Sequence, residues 1–340
     1  MATAGLFAAA APSAAQTYMM GKAIRYGTRV DSTVSISVRR LAPGVYAAKV
    51  NYVWAGWVEI GDGILMVDAG FNDESAKALA DTVRARSGAR PFRYVVNTHQ
   101  HEDHAGGDRY FASLGATIVA QESVADEVQA LLAPPPGGSA DSSAAAGTLA
   151  GTQLRAHAEA KSAPEAPARV KRIKKRASFG GPKRPVEVLW LGKPAHTAGD
   201  LVVYLPKQRV LFAGDIASDR SVPWLLDPGM DVDGWLHSLD SLLTKAFTID
   251  SLVPGHGEMR KPINAIQFTH HYLTDTREKA TDNAAWGTSL KQVRDWGYLG
   301  SYEGLEFYED THFMNVRRLY NEAKGIKTPG RRNVRAIKRT

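Results

Sequence analysis

The chain has 340 residues, an apolar share of 44% and a formal net charge of +7, enough length for one large domain or two smaller ones and enough apolar content for a sizeable core. It contains no cysteine, which excludes disulfides and thiolate metal sites and leaves nitrogen and oxygen as the protein ligands for any metal. No internal apolar run approaches the ~20 residues that a membrane-spanning helix needs.

The chain opens MATAGLFAAAAPSAAQ. The apolar stretch Leu6 to Ala11, followed by the small residues Ser13, Ala14 and Ala15, is similar to the second half of a secretory signal. The basic start is missing, since the first basic residue is Lys22. Residues 1–30 are therefore read as signal-like or as a disordered Ala-rich tail. The matching locations are periplasmic or secreted, with cytoplasmic as the alternative.

Strands are predicted at Gly44 to Val50 and Tyr52 to Ile60. The turn Gly61, Asp62, Gly63 then leads into a third at Ile64 to Gly70;. Apolar residues at helical spacing follow from Glu74 and stop at Gly88;. FRYVV (Phe92 to Val96) is a strand, Asp108 to Leu114 a helix, Ala116 to Ala120 a strand and Glu122 to Leu132 a helix. A meander that passes into strand–helix alternation implies a mixed sheet with helices outside it.

From residue 134 to 185 the periodicity collapses. PPPGGSADSSAAAG is linker-like, a short Ala-rich helix is predicted near Leu154 to Lys161, and KRIKKRASFGGPKR is strongly basic;. The segment is read as a flexible basic insertion. Strands resume at Val186 to Gly192, Leu201 to Pro206 and Arg209 to Asp215. An amphipathic helix covers Asp231 to Phe247, IDSLVPGHGE is a strand entering a loop, and residues 261–324 are mostly helical.

Charge is unevenly spread. Nine basic residues and one acid lie between Lys161 and Arg184, and seven basic residues with no acid between Lys324 and Thr340; together they carry +15 and leave the rest at −8. Such blocks are usually solvated. Nucleic-acid binding through them is a minor reading, since few aromatic rings accompany them.

The chemistry concentrates in NTHQHEDHAGG, residues 97–107. His99, His101 and Asp103 alternate, so a loop closing over a strand end can turn them to one point, while His104 is aimed elsewhere by the helix that begins beside it. The string suits two adjacent metals, with imidazole favouring zinc and the carboxylates also admitting iron or manganese. His196 in PAHTAGD, Asp215 in LFAGD and His256 in VPGHGE stand at further strand ends, flanked by glycine;. These contexts hold five of the ten histidines.

HQHEDH, PAHTAGD, FAGD and PGHGE in that order, with MVDAG ahead of them, resemble the metallo-β-lactamase-fold hydrolases over Tyr52 to Glu258. The resemblance implies a four-layer αβ/βα sandwich over residues 40–260, with residues 261–324 as a C-terminal helical extension and 325–340 as a basic tail. It implies that His99, His101 and His196 bind one zinc, that Asp103, His104 and His256 bind a second, and that Asp215 bridges them. Asp68 would stand behind, orienting a ligand by hydrogen bond. An aspartate at the bridging position is similar to the glyoxalase II and general hydrolase branches, whereas the β-lactamases proper carry cysteine or serine there.

A bound water falls from a pKa of about 15.7 in bulk to around neutral on a single zinc, and two ions sharing one water act in the same direction. The expected activity is hydrolysis of an ester, thioester, lactone or β-lactam by a dizinc-bridged hydroxide, with Asp103 and Asp215 the catalytic carboxylates and a small molecule the substrate. The alternatives are a mononuclear-iron oxidoreductase like the persulfide dioxygenases and a nucleic-acid-processing metallo-hydrolase.

His157, His237, His270, His271 and His312 are read as surface or core-edge residues. Trp54 and Trp57 either line a substrate mouth or pack the hairpin. Arg220 is read as solvated, with an anionic substrate as its other role, and Asp200 as support for the His196 turn. Neither the substrate nor the oligomeric state follows from these residues.

Overall fold

The computed structural model describes residues 34–133 and 170–326. The expectations for residues 1–30, for the linker and its Ala-rich helix, and for nearly all of the basic tail lie outside the described residues.

In chain order the strands of the first half are β1 (Ile36–Ala42), β2 (Val45–Val50), β3 (Val53–Ile60) and β4 (Gly63–Val67), then helix α1 (Asp73–Ser87) and β5 (Phe92–Val96). Two short helices follow, α2 (Glu102–Ala105) and α3 (Asp108–Ser113), then β6 (Thr117–Gln121), α4 (Ala125–Leu131) and β7 (Lys171–Ile173). The second half holds β8 (Arg176–Phe179), β9 (Val186–Trp190), β10 (Leu201–Leu205), β11 (Val210–Gly214), α5 (Val232–Leu242) and β12 (Ser251–Pro254). The helices α6 (Pro262–Ala285), α7 (Leu290–Trp296) and α8 (Tyr308–Ala323) complete it. Among the described residues no helix is long and apolar enough to cross a membrane.

The strands form two sheets. One has the order β1-β2-β3-β4-β5-β6-β7, the other β12-β11-β10-β9-β8. β1 to β4 are an antiparallel meander and β4 to β7 are parallel. In the second sheet only β11 and β12 run parallel. The two sheets pack face to face. Val45, Val58, Leu65 and Val67 of the first meet Leu201, Val203, Leu205 and Phe212 of the second in one buried cluster. The alternate residues of β10 and β11, Val202, Tyr204 and Leu211, point the other way and pack with Trp235 and Leu239 of α5 and with Ile266, Tyr272 and Leu273 of α6. Because both faces are covered, β10 reads LVVYL with every residue buried;. On the outer face of the first sheet, Trp57 is wholly buried, stacked on Tyr46, and donates its indole N–H to Ser87 at the end of α1. Fully burying a large apolar side chain in such a layer is worth roughly 1.5–3 kcal/mol. The architecture is the expected αβ/βα sandwich, and the C-terminal helices pack on its second half.

Local chemistry explains the helix limits. Asn72 caps α1 by accepting from Ser75 N at 2.8 Å, Asp73 and Glu74 occupy its first turn, Arg84 and Arg86 its last, and Gly88 follows with φ 76°;. Asp231 caps α5 by accepting from Gly234 N at 2.6 Å, and Pro262 opens α6;.

Two parts of the fold differ from the sequence reading. β1 was not expected, because a half-exposed edge strand carrying Arg39 and Arg40 shows little apolar periodicity. The segment 134–185, read as a flexible basic insertion, becomes strand at Lys171. Ile173 and Phe179 are buried between the sheets while the arginines and lysines around them face out. Their charge, typical of sheet edges, masks the period of two. Arg172 pairs with Asp126, Arg176 with Glu187, and Lys171 lies 4.9 Å over the Phe179 ring. Much of this basic block is thus engaged within the protein.

Candidate metal centre

The site forms where strand ends from both sheets meet. Asp68 follows β4, residues 99–104 follow β5, Asp215 follows β11 and His256 follows β12, all at carboxyl ends of parallel strands;. Cross-sheet backbone hydrogen bonds hold these ends together: Leu201 N to Thr98 O at 2.7 Å and Trp54 N to Gly255 O at 2.9 Å. Gly255 is required there, because a Cβ at that position would overlap the Asp215 carboxylate;.

All seven residues singled out from the sequence converge. One group comprises His99, His101, His196 and Asp215, the other Asp103, His104 and His256, with the ligand atoms of each lying within 4.8 Å of one another. His101 Nδ1 is 3.1 Å from His99 Nε2 and 2.9 Å from His196 Nε2. His104 Nε2 is 3.4 Å from His256 Nε2. Asp103 Oδ2 is 3.3 Å from His256 Nε2 and 3.8 Å from His104 Nε2. Asp215 touches both groups: Oδ1 lies 3.1 Å from His104 Nε2, and Oδ2 lies 3.3 Å from His196 Nε2 and 3.4 Å from His256 Nε2.

Outer partners fix the tautomers. His104 Nδ1–H donates to Asp68 Oδ2 at 2.9 Å, His101 Nε2–H to Asp227 Oδ2 at 3.1 Å, and His256 Nδ1–H to the Tyr52 carbonyl at 3.3 Å;. His99 Nδ1–H donates to Thr98 Oγ1 at 3.1 Å, and that hydroxyl donates in turn to Asp68 Oδ2 at 3.0 Å. Asp68 also accepts from Thr98 N at 2.7 Å. Four imidazoles thereby turn bare lone pairs toward the same small space. Asp215 Oδ1 is buried with no donor. Lone pairs packed against lone pairs are costly unless a cation stands between them. The donor set is hard-to-borderline nitrogen and oxygen, which suits zinc and also iron or manganese.

Left to protons alone, the two groups behave differently. Burial depresses His99 well below its ordinary value and pushes His196 down to about 4. Burial also lowers His101, but its hydrogen bond to Asp227 outweighs that and raises it. In the other group burial is outweighed by the Asp215 and Asp103 carboxylates, so His104 is raised and His256 is pushed up to about 10. Asp103 and Asp215 are raised by burial, yet the neighbouring His104 and His256 hold both below the usual carboxylate range. Protons occupy the second group where a cation's charge would otherwise sit.

The remaining sequence readings resolve plainly. His270 and His271 lie on α6 and His237 on α5, none of them in either group; His312 is buried on α8, bonded to Tyr272 and to the Gly297 carbonyl. His157 falls outside the described residues. Trp57 is core. Trp54 is buried and donates Nε1–H to the Gly257 carbonyl at 3.1 Å, steadying the His256 loop. Arg220 is half-exposed and pairs with Glu258 at 3.2 Å. Asp200 accepts from Thr197 N and Oγ1, holding the turn after His196, and burial pushes its carboxyl up to about 7. Asp227, Thr98 and Tyr52 were missed. Asp227 sits in LLDPGM, where an aspartate before Pro-Gly reads as an ordinary turn residue;, and nothing local announces its reach to His101.

A model of the metallo-beta-lactamase superfamily matches residues 48–256. The chain belongs to that superfamily. It is 25% identical over 236 residues to a metallo-beta-lactamase type 2 of Elizabethkingia meningoseptica, covering 69% of this chain and 78% of the relative. It is 28% identical over 247 residues to a linear primary-alkylsulfatase of a Pseudomonas species, covering 65% of this chain but 44% of that protein's length. Among solved structures, a metallo-beta-lactamase from Pontibacter korlensis superimposes with a TM-score of 0.52 at 20% identity, covering 71% of this chain and 99% of that one; this likeness is one of fold.

Proposed function

We propose that the protein is a zinc-dependent hydrolase of a small ester, thioester, lactone or β-lactam, working through two metal ions held by the seven converging residues. The observation that carries the reading is the Asp215 carboxylate, placed between two groups whose histidines present lone pairs to it. His99, His101 and His196 would hold one ion, Asp103, His104 and His256 the other, and Asp215 both. When bound, such a pair supplies an acidified water as nucleophile and polarises the scissile group. Asp103, half-buried at the rim with Oδ2 near His256, would accept a hydrogen bond from that water and orient it. Asp68 and Asp227 keep the histidine protons on the outer nitrogens so that the inner ones stay free to bind;.

The relatives' names support acyl or sulfate-ester substrates and do not choose between them. Elemental analysis of purified protein combined with a panel of nitrocefin, lactones, thioesters, phosphodiesters and dodecyl sulfate tests the reading. About two zincs per chain with turnover of a panel member is the expected result. About one iron per chain with oxygen uptake would replace it with the persulfide-dioxygenase reading.

A further inference from the structure

We infer that the C-terminal segment completes the substrate site, with Phe307 selecting substrates that carry a flat apolar group next to the scissile bond. The inference rests on the hydrolase reading for the bond that is cut, but the binding it describes does not depend on turnover.

The superfamily match ends at residue 256, fifty-one positions before Phe307. Yet the Phe307 ring lies 5.6 Å from the His256 ring, nearly perpendicular to it, and 6.0 Å from Tyr52, edge to face. Tyr52 is parallel to His256 within 7° at 5.9 Å and stacks on Phe71 at 6.1 Å. Two rings from separate segments, the β2–β3 turn and the start of α8, therefore lie beside one candidate ligand, with Phe71 from the loop after β4 stacked behind Tyr52. All three are half-buried, so each keeps accessible surface.

Phe307 holds this place against its backbone preference. Its φ is 64° and ψ 3°, left-handed geometry that is a genuine outlier for a bulky residue;. Main-chain pairing enforces it: Val222 N donates to Glu306 O at 2.8 Å, Glu306 N to Arg220 O at 3.3 Å, and Thr311 N to Phe307 O at 2.9 Å. Phe307 contributes no side-chain cap to α8. Glycine or asparagine would take the same backbone without the cost, so what the position supplies is the ring. A group bound beside His256 meets ring faces and edges, which reward a planar apolar substituent by stacking and burial.

The test is calorimetric titration of the zinc-loaded protein with phenylacetate and with acetate, for the wild type, Phe307→Ala and Phe307→Gly. The glycine variant relieves the backbone while removing the ring, so it guards against misfolding. The wild type is expected to prefer phenylacetate by about tenfold or more, and both variants to lose most of that preference with zinc content and acetate affinity unchanged. An unchanged preference in Phe307→Gly overturns the inference. So does a loss of zinc together with an equal loss for both carboxylates, which would make Phe307 a structural support. If no member of the hydrolysis panel is turned over while the preference still follows Phe307, the hydrolase reading falls and the subsite stands.

Discussion

The two ligand groups are chemically alike and physically unlike. In the first, burial keeps His99 and His196 neutral, so two of its three imidazoles are already in the form that binds a metal. In the second, carboxylates crowd His104 and His256 and hold protons on them. The first group is built from a loop of one sheet and a turn of the other. The second is backed by Asp68 beneath His104 and by Tyr52 and Phe307 around His256. Residue count alone would call the two groups equivalent; burial favours neutral imidazoles in the first, and the carboxylates favour protonated ones in the second.

Asp215 is the one side chain that both groups share, so its loss should erase the difference between them. Asp215→Ala is expected to remove most of the activity and at least one metal per chain, measured by elemental analysis and panel turnover. His271→Ala, on the exposed side of α6, should lose neither. Equal losses in the two variants would mean that Asp215 has no special place.

Proton displacement gives the next largest effect. His256, pushed up to about 10, and the raised His104 are protonated near neutrality, whereas in the first group only His101 is raised. A histidine must be neutral to bind, so metal affinity rises with pH wherever the free site holds the proton. The second cation should therefore gain affinity more steeply with rising pH across neutrality than the first. Zinc titrations at several pH values, in buffers of different ionisation enthalpy, count the protons released. Identical slopes for the two ions would remove the proposed asymmetry.

The seven convergent residues were legible because each sits in a short pattern whose chemistry is local: alternating histidines after an apolar strand, or a histidine or aspartate beside glycine at a strand end. The sandwich was legible for a similar reason, since β2 to β6 and β9 to β12 are apolar runs bounded by turn residues. What escaped depends on distance in the chain. Asp227 meets His101 across 126 positions, and Phe307 meets His256 from beyond the matched domain. β7 and β8 escaped because their outward lysines and arginines outnumber the inward Ile173 and Phe179. Tertiary context makes these segments strands, and no window of local sequence contains it.

The finest distinction between the groups lies in the carboxylates behind them. Asp68 and Asp227 each receive three donors, but the donors differ in freedom. Asp68 takes Thr98 N on one oxygen and both Thr98 Oγ1 and His104 Nδ1 on the other. In Asp68→Asn the amide NH2 must face either a fixed backbone N–H or the imidazole proton. The second choice drives that proton to Nε2, the atom that would hold the metal. Asp227 takes His101 and Gln100 on one oxygen and Gly229 N on the other. An asparagine there keeps its carbonyl toward His101 and turns its NH2 to Gly229, which sits in a turn that can adjust. Changes behind a ligand typically cost 10–100-fold in metal affinity, so Asp68→Asn should fall near the upper end and Asp227→Asn near the lower. Chelator competition on the two variants measures this directly. A larger loss for Asp227→Asn would show that the turn at Gly229 is rigid, and that the first group is the one held by a single tautomer.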